Sequence, residues 1–97
     1  MKKKKTHRGF AYVEFEDAYN QKCSLQKSSL ASEDAIWFGV DDANPKILAS
    51  LTKEGGVGWV KYNIPEQVLL STRMHLTRKQ VKELLPHLKR FARTGKI

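Results

Sequence analysis

The sequence has a single cysteine, Cys23, and no apolar run longer than a few residues. One thiol cannot form an internal disulfide, and single-cysteine chains are typical of reducing compartments. A helix that crosses a bilayer needs about 20 consecutive apolar residues. The amino-terminal lysines are not followed by the apolar segment of a signal peptide. The sequence therefore predicts a protein that stays in the cytoplasm.

Residue groupings typical of catalytic or metal sites are also scarce. His7, His75 and His87 show no HExxH or comparable ligand spacing. Cys23 could meet His75 in the fold as a nucleophile and base, although a small buried thiol is the simpler interpretation. No glycine-rich segment is followed by the lysine and helix of a phosphate-binding loop. We therefore predict no catalytic residues, no metal site and no cofactor.

Acidic residues are few, and the charge is unevenly distributed. The 97 residues include 18 Lys and Arg against 10 Asp and Glu, which gives a formal charge of +8. Residues 2–8 contribute +5 and residues 77–97 contribute +6, whereas the segment between them is net negative. We predict a flexible basic tail over residues 1–8 and a single domain over residues 9–97. Fixed positive charge near the carboxyl terminus predicts an anionic partner.

The carboxyl-terminal segment carries the clearest local signal, that of a helix. Thr77 is a good N-cap, and Gln80 three residues later completes a capping box. Gly95 lies where a helix commonly ends, and Pro86 predicts a bend within the helix rather than a break. Spacings of three and four residues place the apolar side chains on one face, namely Val81, Leu84, Leu85, Leu88 and Phe91.

Upstream of this helix, short stretches rich in β-branched and aromatic residues alternate in the manner of strands. The segment 22–30 is ambiguous between a strand and an ordered loop, and 46–51 could instead form a helical turn. We predict an α+β fold, with a mostly antiparallel sheet of about five short strands and one long, proline-bent helix packed across it. The strands are expected at residues 10–15, 35–40, 46–51, 57–64 and 67–71.

Two arginines flank the predicted start of the helix. The unpaired N–H groups and the dipole of a helix N-terminus already favour an anion there. Arg73 and Arg78 could add bidentate contacts to a phosphate, with His75 and Thr77 close by in the sequence. The ordinary alternative is that Arg73 pairs with an acidic residue of the sheet.

A second polar segment lies near the middle of the chain. Ser24, Gln26, Ser28 and Ser29 concentrate hydroxyl and amide groups suited to hydrogen bonding with bases, riboses or phosphates. A polar turn or an edge strand would have the same composition. Trp37 and its neighbour face opposite sides of the predicted strand, so Trp37 could stack on a flat ligand or pack in the core.

Three stretches of the sequence resemble a widespread family of small proteins encoded by bacteriophages and prophages. These stretches are SLQKSSL at Ser24 to Leu30, EDAIWFG at Glu33 to Gly39 and RMHLTRKQVKELLPHLKRFARTG at Arg73 to Gly95. The family looks like the anti-CBASS sponges, which assemble as homo-oligomers and sequester the cyclic dinucleotide signals of bacterial antiviral immunity without degrading them. The resemblance implies 3′3′-cyclic GMP-AMP or a related ligand, a homotetramer, and a location in the cytoplasm of the infected bacterial host.

Other functions are compatible with the same residues. The basic helix and the net charge also suit a nucleic-acid-binding protein, whose affinity should fall steeply with salt. A protein inhibitor of a host defence enzyme is a third class, and an enzyme that cleaves the nucleotide comes last because catalytic groups are scarce. A chain of this size can hardly enclose a cyclic dinucleotide alone, whereas symmetric subunits could bury it between them.

Overall fold

The computed structural model describes residues 1–97 and divides the chain into two compact units. The sheet–helix unit consists of Met1–Asp41 and Arg73–Ile97, and the small unit consists of Asp42–Thr72. None of the helices has the length and apolar content needed to cross a membrane.

The sheet–helix unit contains a five-stranded antiparallel sheet followed by one α-helix, which confirms the predicted α+β class. The strand order is β1-β2-β3-β4-β7, so β1 and β7 are the two edges. The strands are β1 (Lys2–Lys5), β2 (Ala11–Glu16), β3 (Lys22–Lys27), β4 (Ala35–Val40) and β7 (Arg73–Thr77).

The lysine-rich amino terminus forms a strand of this sheet, where the sequence predicted a flexible tail. Lys2–Lys5 pair antiparallel with β2, and Lys4 forms an ion pair with Glu14 at 2.9 Å. Lysine has a low β-propensity, but its charge and long side chain are well suited to a solvent-facing edge strand. The pairing with β2 therefore outweighs the low β-propensity of the four lysines.

The two faces of the sheet differ in chemistry because side chains alternate along each strand. Phe15 and Phe38 lie on one side, with their ring centroids 5.9 Å apart. The strand register shows on which face of the sheet each of the other side chains lies. The apolar face includes Val13, Phe15, Leu25, Ile36, Phe38, Met74 and Leu76. The polar face includes Tyr12, Ser24, Gln26, Trp37, Gly39, Arg73 and His75.

The helix α1 spans Arg78–Thr94 and has the predicted ends. The Thr77 hydroxyl accepts from the Gln80 N–H at 3.2 Å, and the Gln80 side chain accepts from the Thr77 N–H at 3.0 Å. Gly95 adopts the left-handed conformation, with φ 74°, that commonly terminates helices. Pro86 lies within the helix, which remains continuous on both sides of it.

The expected packing of α1 across the sheet is not observed. No residue of the helix is buried, and Leu84, Leu88 and Phe91 are 37%, 48% and 55% exposed. The helix begins at Arg78, immediately after the last residue of β7, so no loop is present to reverse the chain direction. The apolar stripe of α1 starts at Val81, which is half-buried and lines a cavity with Ile36 and Leu76. The rest of the stripe is exposed, namely Leu84, Leu85, Leu88 and Phe91.

The small unit contains a two-stranded antiparallel sheet, β5 (Lys46–Leu48) with β6 (Trp59–Lys61). A 3-10 helix at Ala49–Leu51 follows β5, so both a strand and a helical turn occur within residues 46–51. The strand predicted at residues 67–71 is wrong, because these residues form the end of a turn followed by irregular backbone, and the next strand is Arg73–Thr77. The alternation of polar and apolar residues in RMHLT was the signal for that strand.

Candidate functional site

The polar face of the sheet brings together most of the residues that the sequence suggested for ligand binding. In the register, Gln26 of β3 lies beside Trp37 of β4, which lies beside His75 of β7. The neighbouring row contains Ser24, Gly39 and Arg73. Residues separated by almost half the chain thus form one surface across three adjacent strands.

Arg73 is held in a defined position by two neighbours from β3. Its Nη1 donates to Gln26 Oε1 at 2.9 Å and to Ser24 Oγ at 3.4 Å. Gly39 lies between Arg73 and Ser24 in the register and has no side chain, so the guanidinium can reach across β4. Ser24 is buried and donates its hydroxyl to Asp41 Oδ1 at 2.6 Å, which fixes the orientation of this acceptor.

The guanidinium of Arg73 keeps donors available for a ligand. An arginine has five N–H groups, and within the chain only Nη1 of Arg73 makes hydrogen bonds. The Nε and Nη2 groups together form the edge that binds a phosphate in bidentate fashion. The alternative of a direct acid partner is wrong, because the ion pairs of the structure are Lys4 with Glu14 and Lys27 with Asp34.

Trp37 and His75 form an aromatic stack beside this arginine. Their ring centroids are 4.0 Å apart with an interplanar angle of 17°, and the Arg73 guanidinium carbon lies 5.7 Å from the Trp37 ring centroid. His75 Nε2 makes a hydrogen bond of 2.9 Å with the hydroxyl of Ser28, which also accepts from the Leu30 N–H at 3.2 Å. The imidazole is thus held on two sides while the residue as a whole stays exposed.

An open cavity of about 230 Å³ adjoins the arginine. Its lining combines two hydroxyls, an amide, a carboxylate and the guanidinium, from Tyr12, Ser24, Gln26, Asp41 and Arg73. Tyr12 and Asp41 were not among the predicted site residues. Tyr12 could have been found by strand alternation, because it shares the polar side of β2 with Glu14, whereas only the tertiary pairing of β3 with β4 places Asp41 beside Ser24.

The remaining predicted residues lie apart from this group. Thr77 is committed to the helix cap, and the exposed Ser29 makes no hydrogen bond with the chain. Arg78 lines a separate, mostly apolar cavity of about 320 Å³ that also contains Lys27 and Asp34. The hydrogen bond from Lys27 holds the pKa of the Asp34 carboxyl below its usual value. Arg73 and Arg78 therefore do not form one site at the helix N-terminus.

Cys23 is excluded as a partner of His75. It lies on the apolar side of β3, opposite to the face that carries Ser24 and Gln26. Burial raises the pKa of the Cys23 thiol, which favours the protonated and unreactive form. The thiol donates a hydrogen bond to the Gln21 carbonyl at 3.5 Å.

Comparison of the chain with known protein families, curated proteins and solved structures finds no match.

Proposed function

We propose that this protein binds and sequesters a cyclic dinucleotide of the 3′3′-cyclic GMP-AMP type without cleaving it. The observation that carries the proposal is the Arg73 guanidinium, fixed by Gln26 and Ser24 with its Nε and Nη2 donors free, next to the Trp37–His75 stack. The phage resemblance gives the biological setting, immune evasion in the cytoplasm of an infected bacterium. It also implies a homotetramer, which is part of the proposal.

The chemistry of the ligand matches the groups on the polar face. A cyclic dinucleotide has two phosphates and two purine bases, so its binder needs cations, aromatic surfaces and polar contacts to the base edges. Arg73 supplies the cation in a geometry suited to bidentate phosphate binding. Trp37 and His75 supply stacking surfaces. Tyr12, Gln26 and Ser24 place hydroxyl and amide groups around the adjoining cavity.

One contact favours a second candidate, hydrolysis of the nucleotide. Ser28 and His75 are within hydrogen-bonding distance, as a serine nucleophile and its base would be. Two features support binding instead. The Ser28 residue is only 5% exposed, and no protein group contacts the other ring nitrogen of His75 to orient it as a base.

Calorimetric titration with 3′3′-cyclic GMP-AMP tests the binding. The Arg73→Ala variant should lose about 1.5–3 kcal/mol, or roughly 10- to 150-fold in affinity, because hydrogen bonds to a charged group are removed. Arg78→Ala is the matched control, since it removes the same charge five residues away on a different cavity. Equal losses in the two variants would indicate a general charge effect and would contradict the proposed site.

The fate of the ligand separates the alternatives. After incubation and denaturation of the protein, intact nucleotide should be recovered in full. Hydrolysis that Ser28→Ala abolishes would instead establish the second candidate.

Titration of duplex and single-stranded DNA at two salt concentrations tests nucleic-acid binding, for which affinity should fall steeply with salt. Tight DNA binding without retention of the cyclic nucleotide would contradict sequestration.

A further inference from the structure

The outer edge of β7 lacks a partner strand within the sheet–helix unit. β7 is an edge strand, and Met74 within it is 53% exposed on the apolar face. The apolar stripe of α1 is a separate surface, because Val81 at its start lines a cavity with Ile36 and Leu76 on the apolar face of the sheet. The backbone edge of β7 is therefore the surface open to pairing with another strand.

The hydrogen-bonding pattern identifies the backbone groups at the free edge. Ser28 N–H donates to the Ala35 carbonyl, so Ala35 and Trp37 direct their backbone groups toward β3. Ile36 and Phe38 therefore face β7 and pair with Leu76 and Met74. By the same alternation, the N–H and C=O groups of Arg73 and His75 point to the open edge. The corresponding N–H of Thr77 is already bound by Gln80.

The free edge is suited to pairing with itself. In an antiparallel pair related by a two-fold axis at His75, each Arg73 lies opposite the Thr77 of the second copy, and each Met74 lies opposite the second Leu76. No arginine or lysine then faces another, and the apolar pair extends the apolar face. The corresponding pairing of β1 would bring lysines together, because all four of its residues are lysine.

We propose that this edge is the interface with a second copy of the chain, formed by β7 pairing with β7 about a two-fold axis at His75. A two-fold contact uses the same patch on both copies, so each chain supplies the strand that covers the edge of the other.

This arrangement would make the ligand site a shared one, a consequence that rests on the proposed function. The polar faces of two copies would become continuous, with two Arg73 guanidinium groups and two Trp37–His75 stacks arranged around the axis. A cyclic dinucleotide also has two phosphates and two bases in nearly two-fold arrangement. The expected stoichiometry is therefore one nucleotide for two chains.

Cross-linking tests the register directly. In a hydrogen-bonded antiparallel pair, opposed Cα atoms are about 5.5 Å apart, within the range of about 4.4–6.8 Å that a disulfide requires. His75→Cys in a Cys23→Ala background should therefore form a disulfide-linked dimer on mild oxidation. Arg73→Cys in the same background is the control, because the axis separates the two copies by about four strand residues, roughly 13 Å. Equal cross-linking of both variants, or of neither, would overturn the register.

A second measurement does not depend on the cysteine variants. Met74→Lys changes a side chain that is 53% exposed, so the variant should fold but lower the mass measured by light scattering by roughly twofold or more. Leu69→Glu, at a position 88% exposed in the small unit, should leave the mass unchanged. A monomeric native protein, or a Met74→Lys variant of native mass, would overturn the interface.

The ligand experiments keep the two proposals distinguishable. Retention of one 3′3′-cyclic GMP-AMP per monomeric chain would overturn the shared site and leave sequestration standing. If His75→Cys cross-links but the assembled native protein retains no nucleotide, the interface would be supported and the proposed function contradicted.

Discussion

The two edges of the five-stranded sheet are built from different residues. At one edge, β1 consists of four exposed lysines, of which Lys4 pairs with Glu14. At the other edge, β7 alternates polar residues with Met74 and Leu76 and continues directly into an apolar helix stripe. Lysine protects an edge strand from further pairing, because a second strand would bring like charges together. The contrast indicates that one edge is closed to association and the other is open to it.

The difference also bears on where a ligand can bind. The β1 edge has positive charge, but its lysines are exposed and are not held by a network of hydrogen bonds. Next to the β7 edge, Arg73 is fixed by Gln26 and Ser24, and Ser24 is in turn held by Asp41. A charge that is already positioned loses less conformational freedom on binding than a free lysine does. Positive charge alone therefore does not identify the site.

The largest effect is expected when a lysine, the residue type of β1, is introduced into the β7 edge. Met74→Lys would place an ammonium group within the proposed interface, and burying an unpaired charge is costly. We expect the dimer to weaken by about 3 kcal/mol, roughly a hundredfold in its dissociation constant. Sedimentation velocity at several concentrations measures this. Lys3→Met at the β1 edge is the reciprocal control and should not weaken assembly; undiminished assembly of Met74→Lys would contradict the role given to the β7 edge.

Removal of the stacking surface should affect binding to a smaller extent. Trp37→Ala deletes an aromatic platform, and stacking on a base contributes about 1–3 kcal/mol. We expect a loss of roughly 30-fold in affinity for 3′3′-cyclic GMP-AMP, measured by calorimetry. Trp59→Ala, in the small unit, removes a tryptophan that is 65% exposed and should leave the affinity unchanged. Equal affinity in both variants would exclude Trp37 from the site.

The helix cap next to β7 should affect stability rather than binding. Thr77→Ala removes the hydroxyl that accepts from the Gln80 N–H, and loss of an N-cap typically costs about 1 kcal/mol. Urea denaturation measures the change in the free energy of unfolding. Thr94→Ala is the control at the other end of the same helix, because its hydroxyl donates to the Arg90 carbonyl and accepts from the Lys96 N–H but caps none of the N-terminal donors. A larger effect of Thr94→Ala would contradict this account of the cap.

The smallest effect is expected on the local stability of the β1 edge when the pH is lowered. The hydrogen bond from Lys4 holds the pKa of Glu14 below its usual value, and Glu14 raises the pKa of Lys4. A lowered carboxyl pKa contributes stability above its unfolded-state value, and this contribution is lost as pH falls through the folded value. Hydrogen exchange of the β1 amides should therefore accelerate, relative to that of β4, below the pKa of Glu14. Glu14→Gln should remove this pH dependence.

Some elements of the fold were predictable because their signals are local. Thr77, Gln80 and Gly95 define the helix ends through contacts between residues three or four apart. The β-branched and aromatic residues of Ala35–Val40 predicted that strand with its observed bounds. Conversely, Lys2–Lys5 gave no strand signal, because isolated lysines do not favour extended structure and only pairing with β2 stabilises it.

The sequence predicted most residues of the candidate site but not their arrangement. Arg73, His75, Ser24, Gln26, Ser28 and Trp37 all lie in one contact network, whereas the expected partnership of Arg73 with Arg78 does not form. The expected pairing of Arg73 with Arg78 assumed that Arg73 lies in a loop between the last strand and the helix. In the structure it lies in a strand that directs its side chain across β4, away from the helix start.

The sequence by itself determined the helix and its caps, the position of β4, the excess of positive charge and the residue types available for binding an anion. Only the tertiary structure decided that Arg73 meets Gln26 and Ser24, which are 47 and 49 residues away, and that the lysines form an edge strand while the helix stripe stays uncovered. The physical reason is the range of the interactions. Caps and periodicity are set by neighbours in the chain, whereas strand pairing depends on which distant segments meet, and no local pattern specifies that choice.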